Sequence, residues 1–540
     1  MASIDIEAKS TTNGHANGHA ATAESLIYSE ADILTTDLDA LQRQFADEIL
    51  PAYGHGTADV MLLADLATAR SFVPAGTGSY RDFSYIAPEI PEYHEAQCTG
   101  CMTCVTACPD TAILGVALTE ATLDSELAKI PSEAERVRLR AQFAHTKKYW
   151  DVFEKKGEEP ALFGIFVDPT KCKGCAECVE VCDELDYHAL TMISKQQDTL
   201  PAYQTAFTFF SGLETPETYI NEKALADMML RRETLGYVGG AGSCSGCGEA
   251  TALRMFLGAT IFQYGKENVG IVNATGCSTV YASTYPYNPW DVPWTNSLFE
   301  NAPADAMGVR QRWNQMGWND KRLWVIGGDG AMLDIGFQSL SRALASGLDI
   351  KYLVLDTQVY SNTGGQASTG SYTSQNTKLS QHGKAHGGKH EKRKEITLLA
   401  MMHPDVYVAQ TTASHINHFY RCIMEANSYD GPAVISIYTT CQPEHQVADN
   451  MAGHQAKLAV DSRAFPLLVH DPRRGESIAE RLDLKGNPAV DQDWYTIKKT
   501  GETIDFLTFA RSEGRFSKHF GRDGTPSEEL LRAQADRLSF

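Results

Sequence analysis

Short apolar runs alternate with helical periodicity through the second half of the chain. Five runs predict buried strands, at residues 269–273, 323–326, 350–355, 406–409 and 433–438. Such uninterrupted runs are expected where helices cover both faces of a parallel sheet. Amphipathic stretches between them predict helices, including 250–257 and 414–426. The alternation therefore predicts an α/β fold with a doubly wound, mostly parallel sheet.

The pattern outside this region predicts smaller elements. Residues 1–25 are rich in Ala, Thr, Asn, Gly and His, a composition that cannot bury a core, so we expect a disordered tail. The charged segment 123–156 predicts one or two surface helices, and 527–538 predicts a C-terminal helix. A further helix within residues 29–70 is indicated by apolar positions at Leu38, Leu41, Phe45 and Ile49.

Composition narrows the class of protein. The 540 residues carry a formal net charge of −21, which argues against a nucleic acid as partner and is compatible with docking to basic surfaces. A solvated acidic surface explains the same charge equally well. No apolar run approaches the length of a membrane span, and the N-terminus lacks the basic-then-apolar pattern of a signal peptide. We therefore expect a cytoplasmic protein without a membrane span.

Four chemically useful side chains follow the carboxyl ends of predicted strands. They are Cys277, Asp329, Thr357 and Cys441. Because open α/β sheets bind ligands at this edge, we expect the four residues to converge there. Asp329 and Thr357 offer carboxylate and hydroxyl oxygens, which suit Mg²⁺, and the glycines flanking Asp329 let the backbone approach a ligand closely. Taken alone, however, a Gly-Asp-Gly tripeptide is more often an ordinary turn.

Twelve of the thirteen cysteines fall into three sets of four. Two C-x2-C-x2-C-x3-C runs begin at Cys98 and Cys172, and in two-cluster ferredoxins the fourth cysteine of each run reaches the other cluster. The first cysteine set is therefore Cys98, Cys101, Cys104 and Cys182, and the second cysteine set is Cys108, Cys172, Cys175 and Cys178. The third cysteine set is Cys244, Cys247, Cys277 and Cys441, the candidate ligands of a further cluster beside Asp329.

Two other interpretations of the cysteines fit less well. A zinc site would use pairs of cysteines rather than triplets, and a reducing cytosol disfavours disulfides in a protein of this size. Pro109 follows the first run, whereas Asp183 stands at the equivalent place in the second, but this residue is not a ligand. The remaining cysteine, Cys422, lies in a predicted helix, where we expect it to pack as a small hydrophobe.

The segment 373–395 is polar and basic. His382, His386 and His390 suggest a metal site, but their spacing implies no ordered ligand geometry. We therefore expect a mobile loop that faces a phosphate or another subunit.

Four motifs in combination resemble the pyruvate:ferredoxin oxidoreductase family, and with the ferredoxin runs the resemblance spans roughly residues 90 to 470. The motifs lie at 242–249 (GSCSGCGE), 275–278 (TGCS), 328–330 (GDG) and 360–366 (YSNTGGQ). The resemblance implies thiamine diphosphate and Mg²⁺ bound by Gly276, Ser278, Gly328, Asp329, Gly330, Thr357, Val359 and Asn362. Asp329, Thr357 and the Val359 carbonyl would be the Mg²⁺ ligands, and Asn362, as catalytic residue, would lie near the substrate-derived intermediate. The third cysteine set would hold the proximal cluster.

The resemblance implies oxidative decarboxylation of pyruvate with coenzyme A as acyl acceptor. Electrons would pass through three four-iron four-sulfur clusters to ferredoxin or flavodoxin, and the reverse reaction would use the same residues. Three alternatives remain: a subunit for 2-oxoglutarate or another 2-oxoacid, a non-catalytic electron-transfer subunit, and a non-redox thiamine decarboxylase. The intact motif at 328–330 and the loop 357–366 disfavour a pure electron relay, and twelve patterned cysteines disfavour a non-redox enzyme.

The resemblance also predicts the organisation of the chain. Single-chain members of the family carry long N-terminal domains that hold the pyrimidine side of the thiamine cofactor, whereas fewer than 100 residues precede Cys98. We therefore expect a separate subunit that needs a companion carrying the pyrimidine-binding domain. The predicted divisions are a disordered tail (1–25), an N-terminal helical covering arm (26–90), a small α+β two-cluster ferredoxin-like domain (91–200) with a helical insertion (120–158), a thiamine diphosphate- and Mg²⁺-binding α/β domain with the proximal cluster (201–465), and a C-terminal wrapping extension (466–540).

Overall fold

The computed structural model describes residues 43–61, 73–196, 199–282, 284–380 and 387–540. The chain divides into two units, Met1–Phe72 and Val73–Phe540. In the first unit, a π-helical turn at Phe45–Ile49 continues into helix α1 (Leu50–Gly54) and is followed by α2 (Ala58–Met61). Phe45 and Ile49 are buried, in agreement with their helical spacing in the sequence. The tail predicted for residues 1–25 lies outside the described residues.

The described part of the second unit is built from fifteen strands and eighteen α-helices. The strands are β1 (Glu89–Tyr93), β2 (Ile113–Leu118), β3 (Phe143–His145), β4 (Leu162–Val167), β5 (Leu190–Ser194), β6 (Val269–Ala274), β7 (Trp294–Ser297), β8 (Arg322–Gly328), β9 (Lys351–Asp356), β10 (Tyr407–Thr412), β11 (Ala433–Tyr438), β12 (Leu468–His470), β13 (Leu482–Asp483), β14 (Tyr495–Thr496) and β15 (Thr503–Ile504).

The helices that follow α2 include short turns and longer amphipathic elements. They are α3 (Thr103–Ala107), α4 (Glu120–Ala128), α5 (Glu133–Arg140), α6 (Val152–Lys156), α7 (Glu177–Asp183), α8 (Leu200–Ser211), α9 (Leu225–Met228), α10 (Gly248–Tyr264), α11 (Cys277–Ala282), α12 (Ala302–Gln315), α13 (Phe337–Leu344), α14 (Ile396–Met401), α15 (Ile416–Ser428), α16 (Gln442–His445), α17 (Ala452–Asp461), α18 (Ile478–Arg481), α19 (Phe506–Ser512) and α20 (Glu528–Ser539). Within the described ranges, no helix combines the length and the apolar character needed to cross a bilayer.

Eight strands form the main sheet, in the order β13-β12-β10-β11-β9-β8-β6-β7. The six strands from β10 to β7 in this order pair in parallel. β12 and β13 add to the sheet in antiparallel orientation. The predicted α/β class with a mostly parallel sheet is therefore confirmed.

The main sheet is buried on both faces. In β8, Trp324 and Ile326 belong to one hydrophobic core, whereas Leu323 and Val325 belong to another. Because successive side chains of a strand point to opposite faces, a strand between two cores must be apolar at every position. α10 and α15 contribute to the first core, and α12, α13 and α14 contribute to the second. This two-sided burial explains the uninterrupted apolar runs of the sequence.

The ferredoxin-like segment repeats one backbone conformation. In each cysteine run a glycine and the second residue after it have positive φ: Gly100 (77°) and Met102 (66°) in the first, Gly174 (69°) and Ala176 (62°) in the second. These turns lead into α3, which carries Cys104, and α7, which carries Cys178 and Cys182. Around them, β1 pairs with β5, and β2, β4 and β3 form a three-stranded antiparallel sheet.

Two segments hold structure that the pattern did not indicate. The insertion predicted as helices contains α4, α5 and α6, but it also contains β3, a strand of three residues that is too short for a period-2 pattern to show. The C-terminal extension supplies β12 and β13 to the main sheet. It also builds its own core, in which Phe506, Phe509 and Phe516 pack with Tyr372. The extension is thus integrated into the second unit rather than merely wrapped around it.

Two basic residues of the segment 373–395, Lys389 and Arg393, lie in the interior, whereas Lys392 is exposed. Lys389 is buried, and its ammonium donates to the carbonyls of Thr369 and Ser371 at 2.9 and 2.7 Å. Arg393 is also buried, in an ion pair with Asp356. His390 is exposed, whereas His382 and His386 lie outside the described residues.

Candidate functional site

Four neighbouring strands bring the predicted site residues to one edge of the sheet. β11, β9, β8 and β6 are adjacent and parallel, so their carboxyl ends meet. Asp329 directly follows β8, and Thr357 directly follows β9. Cys277 and Cys441 are the third residues after β6 and β11. The convergence expected from the order of strands and motifs is therefore found.

Oxygen atoms cluster around Asp329. Thr357 Oγ1 lies 3.2 Å from Asp329 Oδ1 and 3.0 Å from the Val359 carbonyl oxygen. The Ser368 hydroxyl donates to the other carboxylate oxygen of Asp329. Gln358 has a left-handed φ of 56°, which turns the chain between Thr357 and Val359. A carboxylate, a hydroxyl and a carbonyl oxygen thus lie close together, and this is the donor chemistry that Mg²⁺ prefers.

Among the residues that the structure describes, Asp329 has no ion-pair partner. Asp329 is fully buried, and this burial, with the nearby Asp356 carboxylate, raises the pKa of Asp329 to about 8. A cation among these oxygens would supply the missing positive charge and hold the carboxylate ionised. The residues present therefore fit a Mg²⁺ ion.

One cavity is lined by all eight residues predicted to bind the cofactor: Gly276, Ser278, Gly328, Asp329, Gly330, Thr357, Val359 and Asn362. A β-carbon added at Gly276 would meet no atom within 4 Å, so this stretch of backbone faces open space. At Gly330 the added β-carbon would lie 2.4 Å from the Tyr360 ring. Glycine at 330 thus lets Tyr360 pack closely, while glycine at 276 leaves room for a ligand. The cavity offers the exposed backbone that a diphosphate requires. That these eight residues bind the cofactor stays a prediction.

The third cysteine set lines a second cavity of about 170 Å³. Its four cysteines come from three separate stretches of the chain, and all are free thiols. The two cavities share a wall formed by Glu249, Cys277, Thr357, Ser361 and Asn362. A group bound to the third cysteine set would therefore lie beside a ligand bound at Asp329.

A bound metal would stabilise the ionised form of the buried thiols in the third cysteine set. Burial raises the pKa of Cys441 to about 12 and also raises the pKa of Cys247. Iron binds cysteine as thiolate and would offset this cost of burial. The set therefore fits an iron–sulfur cluster. Glu249 stands in the shared wall, where burial raises its pKa to about 7 and the Tyr281 hydroxyl lies 3.4 Å away.

The first and second cysteine sets are grouped as the spacing predicted. Cys182, from the second run, lines a cavity with the first three cysteines of the first run. Conversely, Cys108 lies close enough to Cys172, Cys175 and Cys178 for its charge to raise their pKa, in addition to burial. The fourth cysteine of each run has thus crossed to the other set.

The described residues hold no group of three or more His, Cys, Asp or Glu side chains close enough for a single metal ion. A four-iron cluster is larger than one ion, so its thiolates lie further apart. Around Asp329, the other oxygens come from hydroxyl and carbonyl groups.

His445 connects the two halves of the site and carries no motif of its own. Its Nε2 lies 2.8 Å from the Thr357 carbonyl oxygen, and the Cys441 backbone N–H donates to its Nδ1 at 3.4 Å. Burial and the nearby Arg515 lower the pKa of His445 well below its usual value, so the ring is neutral. Nε2–H therefore donates to Thr357, and Nδ1 accepts from Cys441. The one available signal in the sequence is a spacing of four residues from Cys441.

Arg515 reaches the site from the C-terminal extension. It donates to Gln358 Oε1 at 3.0 Å and forms a buried ion pair with Glu513 at 2.5 Å. Gln358 is the turn residue between Thr357 and Val359, so Arg515 supports the backbone that presents the oxygen donors. No local pattern marks Arg515, because its partner lies 157 residues away in the sequence.

Comparisons with known proteins bear on both parts of the site. The family described as "Thiamine pyrophosphate enzyme, C-terminal TPP binding domain" matches residues 274–437, which run from the end of β6 into β11. The family described as "4Fe-4S binding domain" matches residues 91–114, which contain the first cysteine run. The solved structure of a 2-oxoglutarate:ferredoxin oxidoreductase from Magnetococcus marinus is 23% identical in sequence. The match covers 38% of this chain and 65% of the Magnetococcus marinus chain. Its TM-score of 0.33 is too low to support an argument.

Two curated relatives extend the comparison. The "Probable pyruvate-flavodoxin oxidoreductase" of Escherichia coli (strain K12) is 28% identical over 77% of this chain, and this chain spans 38% of that protein. The first four relatives are matched over only 26% to 42% of their own lengths. The "Pyruvate synthase subunit PorB" of Pyrococcus furiosus is 36% identical over 42% of this chain, and this chain covers 70% of that subunit. The chain therefore belongs to the pyruvate:ferredoxin oxidoreductase family, and it carries that family's thiamine pyrophosphate-binding and 4Fe-4S-binding domains.

Proposed function

We propose that this chain is a subunit of a pyruvate:ferredoxin oxidoreductase that converts pyruvate and coenzyme A to acetyl-CoA and CO₂, or runs the reverse reaction. The observation that carries the proposal is the shared wall between the cavity at Asp329 and the cavity of the third cysteine set. A decarboxylase without redox chemistry would not need four thiols there. A pure electron carrier would not need the oxygen donors at Asp329.

Different residues of the chain would bind the Mg²⁺ ion, bind the diphosphate and orient the substrate. Thiamine diphosphate, when bound, supplies the carbanion that adds to a 2-oxoacid and accepts the electrons left by decarboxylation. Asp329, Thr357 and the Val359 carbonyl would hold Mg²⁺, and the backbone at Gly276 and Gly328 would cradle the diphosphate. Asn362 lines both cavities, and it is our candidate for a group that orients the substrate.

Three clusters would carry the electrons away one at a time. The cluster on the third cysteine set would accept them beside the cofactor. The clusters on the second and first cysteine sets would then pass them to ferredoxin or flavodoxin. The packing of the ferredoxin-like segment against the α/β part supports this order. Thr251 and Arg254 on α10 contact the carbonyls of Ala107 and Cys108, at 3.2 and 2.9 Å. The backbone at Cys108 of the second cysteine set is therefore in direct contact with the helix that follows Cys247 of the third.

A companion subunit would complete the thiamine site. Thiamine diphosphate enzymes bind the diphosphate and the pyrimidine ring on different domains, and the residues found here account for the diphosphate side. The relative that this chain covers to 70% is itself named as a subunit, which supports the multi-subunit arrangement. We propose a symmetric assembly with two copies of each subunit. The pyrimidine-binding partner would also shape the substrate pocket, so 2-oxoglutarate or another 2-oxoacid is the alternative substrate.

Coenzyme-A-dependent reduction of a viologen dye by pyruvate tests the proposal. The assay compares this chain alone, a candidate pyrimidine-binding subunit alone, and the two together. We expect activity only in the mixture, because a half-site lacks both the enclosing surface and the activating group. Replacing pyruvate with 2-oxoglutarate in the same mixture tests the substrate class. Full turnover by this chain alone would refute the companion subunit, and no reduction by the mixture with any 2-oxoacid would refute the enzyme assignment.

A further inference from the structure

A buried ion pair lies at the boundary between the ferredoxin-like segment and the α/β part. Lys173 Nζ lies 2.7 Å from Asp110 Oδ1, and the two side chains are only 5% and 3% exposed. Lys173 stands between Cys172 and Cys175, and Asp110 is the second residue after Cys108. Both partners therefore belong to the loops of the second cysteine set.

Lys173 also holds the loop of the third cysteine set. Its ammonium donates to the carbonyls of Ala241 and Ser243, at 2.9 Å each, and to the Ser243 hydroxyl at 3.0 Å. Ser243 directly precedes Cys244. One side chain thus ties the backbone beside Cys244 to the loop between Cys172 and Cys175.

The two charges of the pair face different cysteine sets. The Lys173 ammonium lies against the carbonyl and the hydroxyl of Ser243, the residue that precedes Cys244. The buried Asp110 carboxylate belongs to the loop that follows Cys108. The positive end of the pair therefore reaches the loop of the third cysteine set, and the negative end stays in the loop of the second.

We propose that Lys173 and Asp110 are positioning residues that set the relative reduction potentials of the clusters on the third and second cysteine sets. A cluster gains negative charge when it accepts an electron, so a nearby cation stabilises the reduced form and a nearby anion opposes it. Lys173 thus raises the potential of the third-set cluster, and Asp110 lowers that of the second-set cluster. Together they favour an electron on the cluster beside the cofactor. This inference rests on the cluster assignment of the proposed function.

Redox titrations followed by electron paramagnetic resonance on the iron-loaded full chain test the proposal. Lys173→Met is expected to lower the midpoint potential of the third-set cluster, and Asp110→Asn is expected to raise that of the second-set cluster. The signals are assigned by their loss in Cys277→Ala and Cys175→Ala. If the ion pair had only a structural role, Lys173→Met and Asp110→Asn would shift the midpoint potentials in the same direction, because each substitution breaks the same ion pair.

Two further variants serve as controls. Lys171 is 4% exposed in the same loop, and its ammonium donates to the Ser79 carbonyl at 2.8 Å, away from the third cysteine set. Lys171→Met therefore removes an equally buried lysine and should leave the potential of the third-set cluster unchanged. Lys173→Arg keeps the charge and should restore much of the potential lost in Lys173→Met.

The design separates failure of this inference from failure of the cluster assignment. A single substitution leaves a buried charge unpaired, which is costly, so the neutral double variant Lys173→Met with Asp110→Asn repeats the test without that cost. It should show both shifts together. Unchanged potentials, shifts no larger than those of Lys171→Met, or a double variant that cannot load iron would each overturn the inference. Iron well below about twelve atoms per chain in the unmodified protein would instead refute the assignment of three clusters.

Discussion

At the scale of single residues, the buried carboxylate of Asp329 is in contact with the hydroxyl groups of Thr357 and Ser368. Asp329→Asn removes the charge that would bind Mg²⁺ while keeping the shape of the side chain. We expect the affinity for thiamine diphosphate to fall at least about tenfold, or about 1.4 kcal/mol. Isothermal titration of the assembled enzyme with thiamine diphosphate and Mg²⁺ measures this change.

Asp334→Asn is the matched control for that variant. Asp334 is a carboxylate on the same turn, but its partners are the Tyr360 hydroxyl, at 3.0 Å, and Thr369. We expect a smaller effect of Asp334→Asn on cofactor affinity and no effect of either variant on iron content. An affinity for thiamine diphosphate that Asp329→Asn leaves unaltered would remove Asp329 from the Mg²⁺ site.

His445 links the two halves of the site through hydrogen bonds to the Thr357 carbonyl and the Cys441 N–H. His445→Ala leaves both groups buried without a partner, a cost of about 1–3 kcal/mol each. We expect weaker thiamine diphosphate binding, by at least about fivefold, together with an altered paramagnetic spectrum of the third-set cluster. His454→Ala is the control, because His454 is partly exposed and bonded to Glu184 rather than to the site. A change in the spectrum without a change in affinity would contradict the linking role.

At the scale of elements, α7 contacts the start of α17 along its acidic face. Glu177 accepts from the Gly453 N–H at 2.6 Å, Glu180 accepts from Asn450 at 2.8 Å, and Glu184 lies 2.8 Å from His454. α7 carries Cys178 and Cys182, whereas α17 follows Cys441. These contacts therefore fix the ferredoxin-like segment against the loop of the third cysteine set.

The Glu184–His454 pair predicts a pH dependence of stability. The hydrogen bond to Glu184 raises the pKa of His454, and the reciprocal bond lowers the pKa of Glu184. The pair thus stabilises the fold above the ordinary glutamate pKa of about 4.3, and its contribution is lost as pH rises through the raised pKa of His454. Because the pair is partly exposed, we expect less than about 1 kcal/mol.

Thermal denaturation of Glu184→Gln tests this pH dependence. The variant should melt below the unmodified chain at pH 6, and the gap should close at pH 9. Glu528→Gln removes a more exposed glutamate, which faces Arg532 at 4.0 Å, and should show no such change between the two pH values. A gap for Glu184→Gln that is equal at pH 6 and pH 9 would contradict the account.

The elements that the sequence predicts well are those with many apolar positions. β11 spans the predicted residues 433–438, and β6, β8 and β9 differ from their predicted bounds by one or two residues at either end. β3, β12 and β13 were not predicted, because strands of two or three residues contain too few positions to show a period. α10 extends seven residues past its predicted end, since burial on nearly all sides hides the amphipathic pattern.

The site was predictable only where residues carry local motifs. Cys277, Asp329, Thr357 and Cys441 follow strands, so topology alone places them together. Lys173, Asp110 and Arg515 act through partners that are distant in the sequence, and no spacing marks such pairs. The grouping of the ferredoxin cysteines was predictable because their spacing reflects the geometry of the clusters.

At the scale of the whole molecule, the three cysteine sets lie within one compact unit, Val73–Phe540. The first and second cysteine sets share the ferredoxin-like segment, and Lys173 connects the second to the third. The third shares a wall with the cavity at Asp329. Contacting residues thus link the cavity at Asp329 to the ferredoxin-like segment, and the proposed electron transfer would follow this link.

The central claim is that twelve cysteines of this one chain hold three clusters. Anaerobic analysis of iron and acid-labile sulfide in fully loaded protein tests it most directly. Because each four-iron cluster takes four ligands, we predict about twelve iron atoms per polypeptide, falling to about eight in Cys277→Ala. Cys422→Ala should keep the full content, because Cys422 is buried in α15 outside the three sets. A reproducible value near eight in the unmodified chain would contradict the claim, since the third cysteine set would then hold no cluster.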